Sequence, residues 1–411
     1  MVLNREMEPD WFDLQCTASL PKDQYGRIVE HMALSGCKWD IQVGDVATLA
    51  PFALTISRQT CADLFHLAES LTEEIAAIER ELSHKPELWP ELGLPPKVCR
   101  ILGGDAPWTP AAARIIRYDF HPTEAGWKIS EANSDVPGGL NEAATLAEAI
   151  ADCWDGLEIA GNPLAELAGR LAESAGRGSC IALVSAPGYA EDHQVVAGVA
   201  AELQRKGVES LRIKPEQLRW ENGHAYARMG ENRYDFGAIY RFFQGEWSTR
   251  FEAADWRFVF RGGLTPVCNP GAAVLTESKR LPLLWSAFSS ALPTWRRLLP
   301  ATFQPWQVVL SSGRGLVWKD AYCNTGDAVL SRTWSSRRAW ALTIGRGLLQ
   351  PRQGIAQERF TVRPMSTPLG PMSACLGVYT INGKAAGIYG RLSPDPVINY
   401  FARDVAVLIR R

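Results

Sequence analysis

Arg117, Asp119, Glu131 and Asn133 are the residues of this chain whose types and spacing could do chemistry together. They fall in Arg117-Tyr118-Asp119 and in the stretch Lys128-Ile129-Ser130-Glu131-Ala132-Asn133-Ser134-Asp135. Both stretches alternate as strands do. Arg117 and Asp119 therefore oppose Ile116, Tyr118 and Phe120, and Glu131 shares a face with Asn133. If the strands pair as a hairpin through 121–126, one face carries a cation beside two carboxylates and an amide. Hard divalent cations such as Mg²⁺ take oxygen ligands of that kind, usually together with substrate phosphates. The same pattern also describes the polar outer face of a solvated hairpin, and these residues alone leave both readings open.

Further candidates lie downstream. Lys319 ends the apolar run Leu316-Val317-Trp318 and precedes a loop containing Gly326, where the chain can approach a ligand closely. Lys279 opens a helical stretch near Leu281-Pro282. An ammonium is a compact charge suited to phosphate oxygens, although each lysine taken singly also reads as a solvated surface residue. Arg391 follows 387–390 on an apolar strand, and reads equally as an exposed arginine at a strand end. Gln357 and Glu358 interrupt another apolar strand, where they could bond an adenine edge or face solvent. None of the six histidines shows a partner pattern, and no cysteine is paired readably with a histidine.

The elements that must position these residues are mostly legible. Leu64, Leu67, Leu71, Ile75, Ile78 and Leu82 recur at helical spacing and predict a helix over 58–83. Prolines 86–96 break the pattern, and a hairpin follows over 113–133. The Pro-Gly-Gly turn at 137–139 leads into a second helix over 141–152. Residues 180–240 read as a small α/β unit: strand 180–185, helix 192–206, strand 209–213, an Asn-Gly hairpin at 221–224 and strand 238–243. That alternation predicts a parallel sheet with a helical crossover. Beyond 270 we expect a helix over 277–291, strands at 315–319, 354–360 and 374–380, and pairing of the last with 385–389 through Asn382-Gly383. A final strand-like run carries Arg391.

Composition narrows the function classes. A chain of 411 residues can hold two or three subdomains. The net charge is −2, without a basic stripe or an acidic tail, so no nucleic-acid partner is expected. The first twenty residues carry Arg, Glu and Asp without an apolar core, and no run is long enough to span a bilayer. A cytoplasmic protein without a membrane partner is therefore expected. Nine scattered cysteines, with no CxxC or CxxH spacing, point to reduced thiols rather than to zinc or disulfides.

In this order the pieces resemble the synthetase domain of glutathionylspermidine synthases, a circularly permuted branch of the ATP-grasp superfamily. The resemblance runs from Leu54 to the C-terminus. Its strongest part is Arg117-Tyr118-Asp119 with Glu131-Ala132-Asn133-Ser134-Asp135-Val136-Pro137, similar to the family's Arg-x-Asp and Glu-x-Asn-x-Asp-x-Pro. Tyr240 to Trp247, Glu277-Ser278-Lys279 with 281–285, Leu299-Pro300, Lys319 with the Gly326 loop, and Gly387 to Arg391 add to it.

The resemblance implies an α+β chain with a circularly permuted ATP-grasp fold and an inserted small α/β, pre-ATP-grasp-like subdomain. Residues 1–175 would form the N-terminal part of the core with the metal-binding hairpin. Residues 176–265 would be the small subdomain, and 266–411 the nucleotide-binding part. It also implies an ATP- and Mg²⁺-dependent ligase. ATP would phosphorylate a small-molecule or peptide carboxylate, and an amine would displace phosphate to leave an amide. Asp119, Glu131 and Asn133 would hold Mg²⁺. Arg117 would stabilise the acyl phosphate and Arg391 would lie near the transferred phosphate. Lys279, Lys319 and Gly326 would bind nucleotide phosphates, with Gln357 and Glu358 near the adenine. Ser134, Asp135 and Glu246 would face the substrate, and loop 320–327 would close over ATP. A homodimer matches the family's habit. A nucleotide-binding scaffold without catalysis and an ATP-grasp kinase are the alternative readings.

Several positions depart from the family pattern. Val136, Gly138 and Gly139 stand where small hydroxyl residues are usual, although a Gly-Gly turn can cradle an anion through its N–H groups. Loop 322–327 lacks the usual arginine and second glycine, Leu392 follows Arg391 in place of a glutamate, and Gly245 replaces a tryptophan. These departures set the expected substrates apart from glutathione and spermidine.

Overall fold

The computed structural model describes residues 13–103, 111–250, 256–310, 315–323, 329–399 and 401–411. β1 (Leu49–Ser57) is almost wholly buried, and Ser57 caps the next helix by accepting from the N–H of Thr60 at 3.1 Å. That helix, α1 (Arg58–Leu82), buries Leu64, Leu71, Ile75, Ile78 and Leu82 along one face, as the helical period requires. The face packs on a hairpin of β2 (Ile115–Thr123) and β3 (Gly126–Asn133), where Ile116, Tyr118 and Phe120 are buried. The hydroxyls of Tyr118 and Thr72 share a hydrogen bond of 2.9 Å. The hairpin turn is tighter than its sequence suggests: His121 stays in the strand, and Thr123 pairs with Gly126.

The small α/β unit forms where expected. β4 (Cys180–Ser185) connects through α2 (Ala190–Arg205) to β5 (Ser210–Ile213), with which it pairs in parallel. β6 (Asn232–Phe242) joins the other side of β4, also in parallel, and completes the middle of a six-stranded sheet. Asn222 and Gly223 both have positive φ, the conformation a two-residue hairpin turn demands.

The helix expected over 277–291 does not form. A short turn, Val274–Glu277, ends before extended Ser278, and a separate 3₁₀ segment spans Leu281–Ala287. Pro282 explains the break. In a continuous helix its ring would strike the carbonyl of Ser278.

A three-stranded antiparallel sheet follows, made of β7 (Leu316–Asp320), β8 (Gly354–Glu358) and Thr302–Phe303, with β8 in the centre. The helix α3 (Arg337–Leu349) packs on it through Trp340. β9 (Gly370–Ile381) and β10 (Lys384–Ser393) then form a long hairpin around Asn382 and Gly383, both at positive φ. The strand carrying Arg391 is this same β10, not a separate final run. The last strand is β11 (Arg403–Arg410), built on the apolar run 405–409 and absent from the expected elements. It runs parallel to β1 and antiparallel to β10, giving the central order β1-β11-β10-β9-β2-β3 in a nine-stranded sheet. Among the described residues no helix is long and apolar enough to cross a membrane.

Candidate active site

The site begins at the β2–β3 hairpin, where Arg117 stands directly opposite Asn133. The Arg117 guanidinium donates from Nε to Asp119 Oδ1 at 2.6 Å, from Nη2 to Oδ2 at 2.9 Å, and from Nη1 to the Gly138 carbonyl at 2.8 Å. Asn133 Nδ2 donates to Asp119 Oδ2 at 3.2 Å. Gly377 on β9 makes room for this arrangement, since a Cβ there would lie 2.7 Å from Arg117 Cδ. Arg117, Asp119 and Asn133 are all buried, so the hairpin face is not a solvated surface. Burial opposes the Arg117 charge, but the Asp119 carboxylate more than offsets it and raises the guanidinium pKa.

Two ammonium groups converge on Glu131. Lys279 Nζ lies 3.1 Å from Glu131 Oε2 and donates to the Cys323 carbonyl at 2.7 Å. Lys319 Nζ donates to the Ser130 carbonyl at 2.9 Å. Burial alone would raise the Glu131 carboxyl; Lys279 and Lys319 win and hold it at about 2. Burial is the larger influence on Lys319, whose pKa is lowered despite the Glu131 charge. A charge-rich pocket short of solvent results, of the kind that suits a polyanion.

These side chains open onto two cavities. The first is lined by Arg117, Asp119, Glu131, Lys319, Gln357, Glu358 and Arg391, so it gathers candidates from five separate strands. Gln357 is buried and donates to Thr302 Oγ1 at 3.1 Å, whereas Glu358 is exposed at the rim. Lys279 lines an adjoining recess with Glu131 and Lys319. Gly326 lies outside the described residues. The second cavity lies between the hairpin and the small α/β unit. Its walls include Gly138, Gly139, Glu142, Glu191, Asp192 and Asp404. Arg117 and Arg391 line both cavities. Arg391 Nη2 donates to the Asn399 carbonyl at 2.7 Å, and its buried Nε has no partner among the described residues.

Ser134 and Asp135 have a different surrounding from the one their motif implies. They are 0% and 1% exposed, and they line neither cavity. Glu277 Oε2 accepts both their N–H groups, at 2.6 and 3.0 Å, and Asn269 Nδ2 donates to both their carbonyls, at 3.1 and 2.9 Å. The Asp135 carboxylate is taken by Arg241 and by the Gly245 N–H. The turn after β3 is thus gripped from all sides. Glu246 lies close to it, and burial, then the Asp135 charge, lift its carboxyl to about 7.

Sequence reasoning missed two groups. His121 lines the first cavity, bonded through Nε2 to Ser130 Oγ at 3.0 Å and set 5.2 Å from the Phe360 ring. Strand alternation from Arg117 and Asp119 was the signal that could have found it. Lys38 projects into the second cavity, 2.8 Å from Glu142 and from Asp404 and 3.2 Å from Asp40. Nothing in the sequence links residues so far apart.

Among the described residues no three His, Cys, Asp or Glu side chains gather closely enough to hold a metal by themselves. Asp119, Glu131 and Asn133 offer two carboxylates and an amide, which fits Mg²⁺, an ion that binds through one or two carboxylates plus substrate phosphates.

Fold and site together define a mixed α/β protein with several sheets around a charged double cavity, consistent with an ATP-grasp-related fold. The profile of the glutathionylspermidine synthase preATP-grasp family matches residues 31–410, and the chain belongs to that family. Membership points to a ligase, in a family of synthetases that generally use ATP and Mg²⁺. No curated protein matches the chain in sequence. Among solved structures it is similar to a glutathione synthetase-like effector from Globodera pallida in its apo form. That likeness has 12% identity, a TM-score of 0.66, and covers 94% of this chain and 96% of that one. At such identity it shows the fold alone. A protein from Methylobacillus flagellatus assigned as a gamma-glutamylcysteine synthetase is more distant, with 10% identity, a TM-score of 0.40, and coverage of 78% and 83%.

Proposed function

We propose that the chain is an ATP- and Mg²⁺-dependent carboxylate–amine ligase that forms an amide through an acyl phosphate. The observation that carries this reading is the position of Arg117 and Arg391 on the walls of both cavities. Arginines at such a junction can neutralise a phosphoryl group arriving from one side and an acyl group held on the other. On this reading Lys279 and Lys319 bind the nucleotide phosphates, with Gln357 and Glu358 at the adenine end. Asp119, Glu131 and Asn133 would hold Mg²⁺, which when bound neutralises phosphate charge. Ser134 and Asp135 support the hairpin rather than touch substrate.

The chemistry balances in two steps. An oxygen of the substrate carboxylate attacks the γ-phosphorus of ATP, the bond to the bridging oxygen breaks, and ADP leaves. The amine then adds to the acyl carbon, Arg117 stabilises the charge on the tetrahedral centre, and phosphate departs as the nitrogen loses a proton. Asp192 in the second cavity suits the role of proton acceptor, since burial, then Glu191, raise its carboxyl to about 7.

The same reading makes the core a circularly permuted ATP-grasp fold. Its support is the chain order: strands around the first cavity come from 115–133 and from 316–391, and the small α/β unit lies between them. Residues 176–265 would then be the inserted pre-ATP-grasp-like unit.

Hydroxylamine trapping tests the function. With ATP, Mg²⁺ and panels of carboxylic acids, a productive acid should yield a hydroxamate, and phosphate release should rise when an amine replaces hydroxylamine. A stable phosphorylated product that ignores amines would make the protein a kinase. Nucleotide binding without turnover of any acid would leave the scaffold reading.

A further inference from the structure

The outer side of the three-stranded sheet exposes clustered apolar side chains. Leu342, Leu348 and Leu349 of α3 are 62%, 57% and 85% exposed. α3 buries Trp340, Thr343 and Gly347, so the helical period turns Arg338, Leu342 and Leu349 to the opposite side. Scattered exposed leucines are ordinary, whereas three on one short helix mark an interaction surface.

The segment around this cluster is rich in arginine. Between Val329 and Gln357 the chain carries five arginines, at 332, 337, 338, 346 and 352, and no carboxylate, although the whole chain is at −2. Arg337 and Arg338 occupy the first turn of α3, where the helix dipole disfavours cations and no acidic residue shares the turn. Neither has an ion-pair partner among the described residues, unlike Arg346 with Asp320 and Arg352 with Glu91.

One surface takes both features. At a bilayer with anionic headgroups, leucines enter the acyl boundary and arginines pair with phosphates. A nucleic acid would use the arginines and leave the leucines in water. We propose that α3 docks this sheet onto an anionic phospholipid surface. The expectation of no membrane partner came from the lack of an apolar N-terminal core and of a spanning run, and neither registers a 13-residue interfacial helix. The inference stands apart from the ligase reading.

Co-sedimentation of the full-length protein with phospholipid vesicles tests it. The protein should bind phosphatidylcholine vesicles containing roughly one-third phosphatidylserine and not those of phosphatidylcholine alone, with binding weakened by salt. Arg337→Gln with Arg338→Gln should lower the partition coefficient about tenfold or more. Leu342→Glu with Leu349→Glu should abolish binding while the melting temperature stays at the wild-type value, because both side chains are exposed. No binding to the anionic vesicles overturns the proposal, as does binding that the leucine variant leaves unchanged. Equal capture by poly(U), independent of the leucines, would assign the patch to nucleic acid instead.

Discussion

Replacing Asp135 with asparagine separates a residue that serves the fold from one that serves the substrate. Asp135 and Arg241 are each 1% exposed at the side chain and form a buried ion pair. Arg241 also donates to the Asn269 carbonyl at 3.0 Å and to those of Phe243 and Pro270, while Asp135 Oδ2 accepts the Gly245 N–H at 2.6 Å. Asparagine keeps the shape and one acceptor but removes the counter-charge from a guanidinium that stays buried. Breaking a buried pair from one side costs about 3–5 kcal/mol. The backbone carbonyls around Arg241 remain, so we expect the lower end, about 3 kcal/mol. At an m-value of about 3 kcal/mol per M, the urea midpoint should fall by about 1 M. The double variant Asp135→Asn, Arg241→Gln should lose less than the sum of the singles, because no charge is left unpaired. A loss under about 1 kcal/mol in Asp135→Asn, with additive singles, would refute the reasoning and return Asp135 to the substrate side.

Three further outcomes are expected. Gly377→Ala should push the Arg117 side chain off Asp119, because the new methyl would lie 2.7 Å from its Cδ. ATP turnover should drop about 100-fold with little change in nucleotide affinity, since a misplacement of about 1 Å has that effect; unchanged turnover would remove Arg117 from the chemistry. Lys279→Met removes the ammonium 3.1 Å from Glu131, so calorimetry should show ATP affinity about tenfold lower or worse. An unaltered affinity would rule out phosphate contact by Lys279. Burial lifts the Glu277 carboxyl from its ordinary 4.5 to about 8 despite Lys279, so the folded chain keeps a proton that the unfolded chain has released. Stability from this group is full below about pH 4.5 and is lost as pH rises through about 8. Glu277→Gln should flatten that part of a pH–denaturation series; an identical slope would mean the carboxylate is charged at neutral pH.

What could be read from the sequence was local. Alternation alone put Arg117 and Asp119 on one strand face and Glu131 and Asn133 on the next, and their burial rather than their spacing separates a site from a solvated hairpin. The two-residue turns at Asn222-Gly223 and Asn382-Gly383 were visible because they demand positive φ. Non-local pairing was not visible. β1 and β11 are parallel neighbours more than 300 residues apart, and no local signal joins them. The same blindness hid Lys38, whose partners are Glu142 and Asp404. Ser134 and Asp135 directly follow Glu131 and Asn133 in sequence, yet Asn269, Glu277 and Arg241, all distant, turn them inward. Pro282 was in plain view and should have ended the helix expected over 277–291.

The most direct test of the central claim is thermal stabilisation by a non-hydrolysable ATP analogue, with and without Mg²⁺, in the wild type and in Glu131→Gln. A ligand that binds only the folded state raises the melting temperature, by more the further its concentration exceeds its Kd. The account predicts a Mg²⁺-dependent rise in the wild type, with its Mg²⁺-dependent part lost in Glu131→Gln. No rise at millimolar analogue, or an identical Mg²⁺ response in the variant, would contradict the nucleotide and metal site on which the ligase reading rests.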